Sequence, residues 1–465
     1  MTYLPIFDSP QPTKRQKSNV NMSLDGYMFN KELRFVRKIG AGTYGLIYLV
    51  ENIYTKQQFA AKMVLKQQPM KLGSSSNKQL IQQQFSQYFH NHVIPKPTSI
   101  DFDYIKGQGH DCQFLTEIAL HLKVHDHPNI ATIHEVFELE GFAIVILLDY
   151  YDQGDLFTNI IDLQIFQQRR SDKQKQLLMK NAMLQLCAAV EYCHQKSVYH
   201  CDLKPENIMV KYNKEYKRRD SGVIDYDEIQ LVLIDFGLAI DSSFIKCNAC
   251  RGSSFYMAPE RVTNYKSSKL IRGLVDINQF PTDAGEMYLP TLAGDIWSLG
   301  VLFINITCSR NPWPIAAFNE NSEVFTNYIL NRNKSILTSI LPISNQFNDL
   351  LNSIFKLNPN ERVTLKKLQQ QIITCDFFND HQYNNPQLIT PDATAYNSYA
   401  SDYEEEEEDD YEDIEDEEEY FTDAEDIVQV EDMNNVISQQ LTPPQDFPEK
   451  QHKCCLQDFL LRAVY

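Results

Sequence analysis

Read for hydrophobic periodicity alone, the chain changes character about a third of the way along. From Leu33 to Lys66, apolar residues gather in short runs around a glycine-rich turn: Phe35-Val36, Ile47-Tyr48-Leu49-Val50 and Phe59-Ala60-Ala61-Lys62. That spacing predicts β-strands. Residues 67–111 are rich in Gln and Ser and carry Pro95 and Pro97, which reads as an insertion, flexible at least in part. A helical stretch is expected from Phe114 to Val124, then a buried strand at Phe142–Leu148, which is too short to span a bilayer. From about Asp155 to Thr374 the spacing is mostly helical, with long helices expected near 176–196 and 291–308. Two insertions interrupt it: a charged one near 212–228 between short strands, and one near 263–290 without periodicity.

Composition changes the picture mainly at the ends. The first thirty residues are polar and hold a basic cluster, Lys14, Arg15 and Lys17, which reads as a solvated tail before it reads as a nuclear import signal. Between Ser401 and Asp426 stand 18 Asp and Glu residues and no Lys or Arg; taking those 18 charges from the net −19 leaves −1 for the rest. The folded part is therefore near neutral, which argues against a broad nucleic-acid-binding surface. Ten cysteines in 465 residues make no disulfide framework, and Met1–Gln11 has no basic-plus-apolar leader. A reducing, cytoplasmic setting with free thiols is expected, the nucleus being a further location, with no membrane and a monomeric state.

Phosphoryl transfer needs phosphates cradled, a metal held, a hydroxyl aimed and developing charge stabilised. The chain offers groups for each task in one order. Gly40-Ala41-Gly42-Thr43-Tyr44-Gly45-Leu46-Ile47 is a G-x-G-x-x-G followed by strand, which lets backbone approach phosphates and disfavours a dinucleotide fold. Lys62 lies in the next strand, where it would bind the α- and β-phosphates, and helical Glu117 is its expected partner. Tyr199-His200-Cys201-Asp202-Leu203-Lys204-Pro205-Glu206-Asn207 puts a carboxylate, a lysine and a carboxamide on one short loop. Asp202 would orient the substrate hydroxyl, Lys204 neutralise the moving phosphate and Asn207 ligate magnesium. Asp235, in Ile234-Asp235-Phe236-Gly237, ends an apolar strand as a second magnesium ligand, and Ala258-Pro259-Glu260 closes the loop that Asp235 opens.

These motifs resemble the eukaryotic protein kinase family, over roughly residues 33 to 378. The resemblance implies an α+β, bilobal fold with insertions and disordered tails: a small β-rich lobe over 33–150 and a larger helical lobe over 151–378, flanked by tails at 1–30 and 379–465. It implies ATP between the lobes, bordered by Ile39, Gly40, Ala41, Gly42, Thr43, Tyr44, Gly45, Ile47 and Ala60. The hinge would be Asp149-Tyr150-Tyr151, with Asp155 on the ribose, Met209 under the adenine and Leu148 at the rear. Asp295 would brace the catalytic loop, Glu260 would pair with Arg362, and Ser253 would stand beside Asp202 and Lys204. Lys204 after Asp202-Leu203, and Gly252-Ser253, look like kinases that phosphorylate serine or threonine of protein substrates rather than tyrosine.

A narrower resemblance rests on the His-Cys-Asp motif, on Arg251 through Arg261, on Cys308-Ser309-Arg310-Asn311-Pro312-Trp313 and on Leu341-Pro342-Ile343-Ser344. These look like the fungal group related to the fission-yeast meiosis-inhibiting Ran (Pat) kinase and to budding-yeast nutrient-response kinases. Nutrient, cell-cycle or meiotic signalling is what that resemblance implies. Two residues depart from the general pattern: Cys201 replaces the arginine that usually pairs with an activation-loop phosphate, and His121 replaces an apolar packing residue. His121 reads as packing. The Cys247/Cys250 pair lacks two further ligands at a suggestive spacing for zinc, while a redox pair stays open, and the sequence assigns it no role.

The opposing class is a pseudokinase scaffold whose acidic tail binds cationic proteins; retention of Lys62, Asp202 and Asp235 speaks against it. Leu456, Phe459, Leu460 and Ala463 recur at helical spacing beyond the acidic run, so Lys453–Tyr465 is either an idle tail or a short helix that docks on the kinase or on a partner. Truncation after Pro448 separates the two: docking predicts altered activity, partner set or localisation, and no change in all three leaves docking without support.

Overall fold

The computed structural model describes residues 23–41, 45–66, 74–92, 95–108, 113–168, 171–213, 215–217, 223–319, 322–330 and 334–378. Gly42, Thr43 and Tyr44, the basic cluster, the acidic run and the terminal segment lie outside them. The chain divides into two compact units, one of residues 1–102 and 132–150, the other of residues 103–131 and 151–465. Strands dominate the first and helices the second.

The smaller unit is built on β1 (Leu33–Ala41), β2 (Gly45–Asn52), β3 (Gln58–Leu65), β4 (Thr98–Ser99), β5 (Ile133–Leu139) and β6 (Ala143–Asp149). They form one antiparallel sheet in the order β1-β2-β3-β6-β5-β4. Alternation sorts its residues by face. Leu46, Tyr48, Ala61, Met63, Val145 and Leu147 point to the core of this unit. Ile47, Lys62 and Ile146 are register partners on the opposite face, as are Leu49, Ala60 and Leu148.

Two expectations need correction here. The first thirty residues are not all tail: Leu24 and Phe29 are buried in the core, Phe29 packing edge-on to Phe35 and Phe137. Leu24 stands alone between Ser23 and Asp25, and Tyr27-Met28-Phe29 is a short run inside a polar stretch, so local composition hid them. The Gln-rich insertion 67–111 is also not simply flexible, because α1 (Ser74–Asn91) runs through it. Its polar residues mask one stripe, Ile81, Phe85 and Phe89 at i, i+4, i+8, each buried to 1% exposure or less in the same core.

In the larger unit, α2 (Phe102–Gln108) and α3 (Gln113–Leu122) precede α4 (Leu156–Ile161) and α5 (Asp172–Gln195). Ser171 and Gln174 close a capping box at the start of α5. The hairpin β7 (Ile208–Tyr212) and β8 (Ile229–Leu233) brackets the charged insertion. Then come β9 (Phe244–Lys246), α6 (Pro259–Val262), α7 (Lys269–Leu274), β10 (Thr282–Asp283), β11 (Glu286–Pro290) and α8 (Thr291–Cys308). The stretch 263–290, aperiodic as sequence, thus folds into a helix and a hairpin. Helices α9 (Glu323–Leu330), α10 (Ile336–Ile340), α11 (Asn345–Ile354) and α12 (Leu365–Thr374) complete the unit. Every residue of α8 from Ala293 to Thr307 is buried, so its apolar length reflects a central core helix.

The packing of α1 is directly testable. Phe85→Ala should destabilise the protein by about 3–5 kcal/mol, as large-to-small changes in a closed core do. Urea denaturation measures it, and a loss under about 1 kcal/mol would place α1 outside the core.

Candidate active site

The catalytic loop hangs from one carboxylate. The backbone N–H groups of His200 and Cys201 donate to the Asp295 Oδ2 and Oδ1 at 3.0 and 2.9 Å, and His194 Nε2 lies 2.9 Å from Oδ2. Asp295 sits on α8 and is 1% exposed. Burial pushes its carboxyl up, but the His194 contact and the backbone donors outweigh that and hold it below the usual range. A depressed carboxylate stabilises the fold above its unfolded pKa, and that stability is lost as pH falls through the folded one. The anchoring also maintains Cys201 at φ 64°, a left-handed conformation costly for a residue with a side chain.

Next to this anchor the predicted groups converge. Asp202 Oδ1 accepts from the Ser253 N–H at 2.9 Å and the Ser253 hydroxyl at 2.8 Å. Oδ2 accepts from the Asn207 amide at 3.0 Å, and Lys204 Nζ stands 3.6 Å away. Lys204 in turn donates to Ser253 Oγ at 3.0 Å. The expected place of Ser253 is therefore observed. Gly252 makes it reachable: its φ is 112°, and a Cβ there would collide with the Cys201 carbonyl.

Asp235 follows β8 at φ 58°, its N-terminal neighbour Ile234 donating to the Asn207 carbonyl at 2.9 Å. Asp235 and Glu117 of α3 both crowd Gly237: a Cβ there would lie 3.3 Å from Asp235 Oδ1 and 3.5 Å from Glu117 Oε2. Phe236 packs between two imidazoles, stacked on His121 at 4.5 Å and edge-on to His200 at 5.0 Å. His200 Nδ1 accepts from the Asp202 N–H, so Nε2 carries the proton toward the Ile234 carbonyl at 3.1 Å. His121 is 6% exposed with Nε2 2.7 Å from the Ala131 carbonyl, which agrees with a packing role. Asp155 caps α4 through the Thr158 N–H at 2.8 Å and bridges Met209 on β7.

Glu260 and Arg362 form the expected pair, bidentate at 2.6 Å with both side chains at 1% exposure or less. The guanidinium also donates to the carbonyls of Ala293 and Lys356 and lies 4.9 Å from the Trp297 ring. Cys247 is buried, accepts from the Tyr265 N–H at 3.4 Å, and has its thiol pushed up to about 11 by burial. No cluster of three or more His, Cys, Asp or Glu placed to hold a metal exists among the described residues.

The smaller unit holds the other predicted residues. Gly45 presses β2 onto β3, where a Cβ would run into the Met63 carbonyl, so this glycine is required by packing as well as by any ligand. Ile39 stands at an irregularity of the β1–β2 pairing. Gly40 and Ala41 end β1 opposite Ile47 and Leu46. Asp149 ends β6, accepting from the Thr132 N–H at 3.0 Å, with His134 Nε2 2.7 Å away. Tyr150 is the last residue of this unit and Tyr151 the first of the return to the other. His194 and Tyr199 were missed by sequence reasoning; neither has a spacing that signals its partner.

The protein kinase domain family matches residues 102–373 of the chain. The chain is 34% identical over 373 residues to the serine/threonine-protein kinase VHS1 of Saccharomyces cerevisiae, covering 77% of this chain and 72% of that one. It is 35% identical to the serine/threonine-protein kinase SKS1 of the same yeast, over 74% of this chain and 65% of the relative. Against the Schizosaccharomyces pombe negative regulator of sexual conjugation and meiosis it is 34% identical, over 75% of this chain and 61% of the relative. The chain belongs to the protein kinase family, on the side of its serine/threonine members. Membership brings ATP as donor, a divalent metal and protein acceptors.

Because Ser253 bridges Asp202 and Lys204 through its hydroxyl, Ser253→Ala should lower kcat about tenfold or more, while Ser253→Thr retains most of it. Steady-state kinetics on a peptide substrate read both; equal kcat in Ala and wild type would remove the hydroxyl from the mechanism.

Proposed function

We propose that this chain is a catalytically active, magnesium-dependent protein kinase that transfers the ATP γ-phosphate to serine and threonine hydroxyls. The observation that carries the reading is Asp202, whose two carboxylate oxygens are held by Ser253 and Asn207 beside Lys204. An incoming hydroxyl is oriented by the Asp202 carboxylate as it attacks, and Lys204 meets the negative charge that moves with the phosphoryl group. The Asn207 amide nitrogen is committed to the Asp202 carbonyl and carboxylate, which leaves its oxygen as the group that would ligate a metal. That oxygen and the Asp235 carboxylate are hard donors that would hold Mg²⁺, which would supply positive charge to the ATP phosphates. The family resemblance assigns Lys62 to the α- and β-phosphates with Glu117 as its partner, Ile39 to Gly45, Ile47 and Ala60 to the nucleotide, and Asp149, Tyr151, Asp155 and Met209 to the nucleoside.

The wider setting is an extension of the same reading. The relatives' names and the motifs support a role in nutrient, cell-cycle or meiotic signalling in a fungus. We place the enzyme in the cytoplasm with access to the nucleus, as a monomer that binds neither nucleic acid nor membrane, its C-terminal tail being either idle or docked on the kinase or on a partner. The scaffold alternative is disfavoured because Lys62, Asp202 and Asp235 are all retained.

Asp202→Ala and Lys62→Arg should each abolish transfer, typically by orders of magnitude in kcat/KM, with the fold retained. A radiolabelled-ATP assay on folded, purified protein decides it; either mutant retaining substantial activity would overturn the assigned role.

A further inference from the structure

The segment from Asp235 to Glu260 carries Ser253, so its conformation decides whether Asp202 meets a substrate correctly. A loop of this kind is commonly ordered by a phosphate ion-paired to arginine, and Cys201 occupies the place of that arginine. The segment is nevertheless fixed mainly by backbone pairing, to which exposed charged contacts, Lys246 to Glu286 at 3.3 Å and Arg251 to the Leu238 carbonyl at 2.7 Å, are added. Tyr199 and Ile240 exchange N–H to carbonyl bonds at 2.8 and 2.9 Å. Then β9 enters a three-stranded sheet in the order β10-β11-β9, with Tyr288, Leu289 and Pro290 opposite Lys246, Ile245 and Phe244. The ladder runs on at both ends. The Thr291 N–H donates to the Ser243 carbonyl at 2.9 Å, the Cys247 N–H to the Met287 carbonyl at 2.8 Å, and the Thr291 hydroxyl to the Ser242 carbonyl at 2.7 Å.

The partner strand belongs to the 263–290 insertion. Its hairpin turns through Ala284 and Gly285, both at positive φ, and Met287 and Leu289 are anchored in the core at 3% and 1% exposure. Further along, the Asn248 and Cys250 N–H groups donate to the carbonyls of Glu260 and Arg261, both at 2.9 Å. The serine hydroxyls at 242, 243 and 253 are already engaged with Phe244, Tyr199 and Asp202.

We infer that the β10–β11 hairpin is a positioning element for the phosphoryl-transfer reaction: by pairing with β9 it holds the Asp235–Glu260 segment in its substrate-accepting form without any phosphate on it. The inference rests on the proposed kinase activity. Its first consequence is that protein stripped of phosphate at Ser242, Ser243, Ser253 and Ser254 remains fully active. Its second is that the strand contact matters to the protein substrate and not to the nucleotide.

The test uses the full chain. Wild type treated with phosphatase, its phosphate content checked by mass spectrometry, should keep its kcat/KM for peptide within about twofold. Ile245→Pro interrupts β9 at a half-buried position and should lower kcat/KM for peptide about tenfold or more, leave KM for ATP within about twofold, and open the 240–255 region to limited proteolysis. Thr291→Val deletes only the hydroxyl to Ser242 and should give a smaller loss of the same kind; it decides the matter if the proline variant does not fold. Phosphatase-silenced wild type whose activity returns on rephosphorylation would overturn the inference, as would full peptide activity in the folded Ile245→Pro variant, or in Thr291→Val should that variant not fold. Wild type inactive in every phosphorylation state would instead sink the kinase reading itself.

Discussion

The interaction on which the site depends is the buried Asp295 carboxylate. An isolated ionised carboxylate inside a protein costs several kcal/mol in lost hydration, so it persists only where donors replace water. The N–H groups of His200 and Cys201, with His194, supply that replacement. In return the carboxylate fixes two successive peptide units and keeps Cys201 left-handed. That turn aims Asp202 at Ser253, Asn207 and Lys204. Removing the carboxylate would leave buried N–H groups unsatisfied and release the strained turn, so geometry and ionisation here are one constraint.

Around this anchor the larger unit uses two different strategies for order. Glu260 and Arg362 are a fully desolvated ion pair with backbone carbonyls completing the guanidinium's bonding, an arrangement where loss of one partner costs about 3–5 kcal/mol. The segment between Asp235 and that pair relies mainly on backbone pairing instead, with only exposed ion pairs such as Lys246–Glu286 beside it. Neutral ladders are insensitive to phosphorylation state and weakly sensitive to salt, whereas an arginine–phosphate contact is neither. The Cys201 substitution and the hairpin insertion are thus physically compatible with each other. The Phe236 ring between His121 and His200 links α3, the Asp235 turn and the catalytic loop through aromatic contact.

In the smaller unit, strand alternation does the positioning. Register puts Ile47 and Lys62 on one face and Leu46, Tyr48, Ala61 and Met63 on the other, and burial of the second face forbids a one-residue slip. Gly45 adds a steric lock, since any side chain would meet the Met63 carbonyl.

The sequence by itself determined the chemistry and the regular elements. Asp202, Lys204 and Asn207 lie within six residues, Asp235 ends an apolar strand, and α8 runs where its apolar spacing says, because all these signals are local in the chain. Tertiary structure decided everything that depends on a distant partner. The Ile81-Phe85-Phe89 stripe was drowned by glutamines until a sheet was there to cover it, and Leu24 and Phe29 are core only because the strands receive them. His194 and Tyr199 gain their roles from Asp295 and Ile240, which lie 101 and 41 residues further along. The hairpin of 282–290 shows no usable period because it is two and five residues of strand whose stability comes from pairing with β9, and a strand that short is defined by its neighbour rather than by itself.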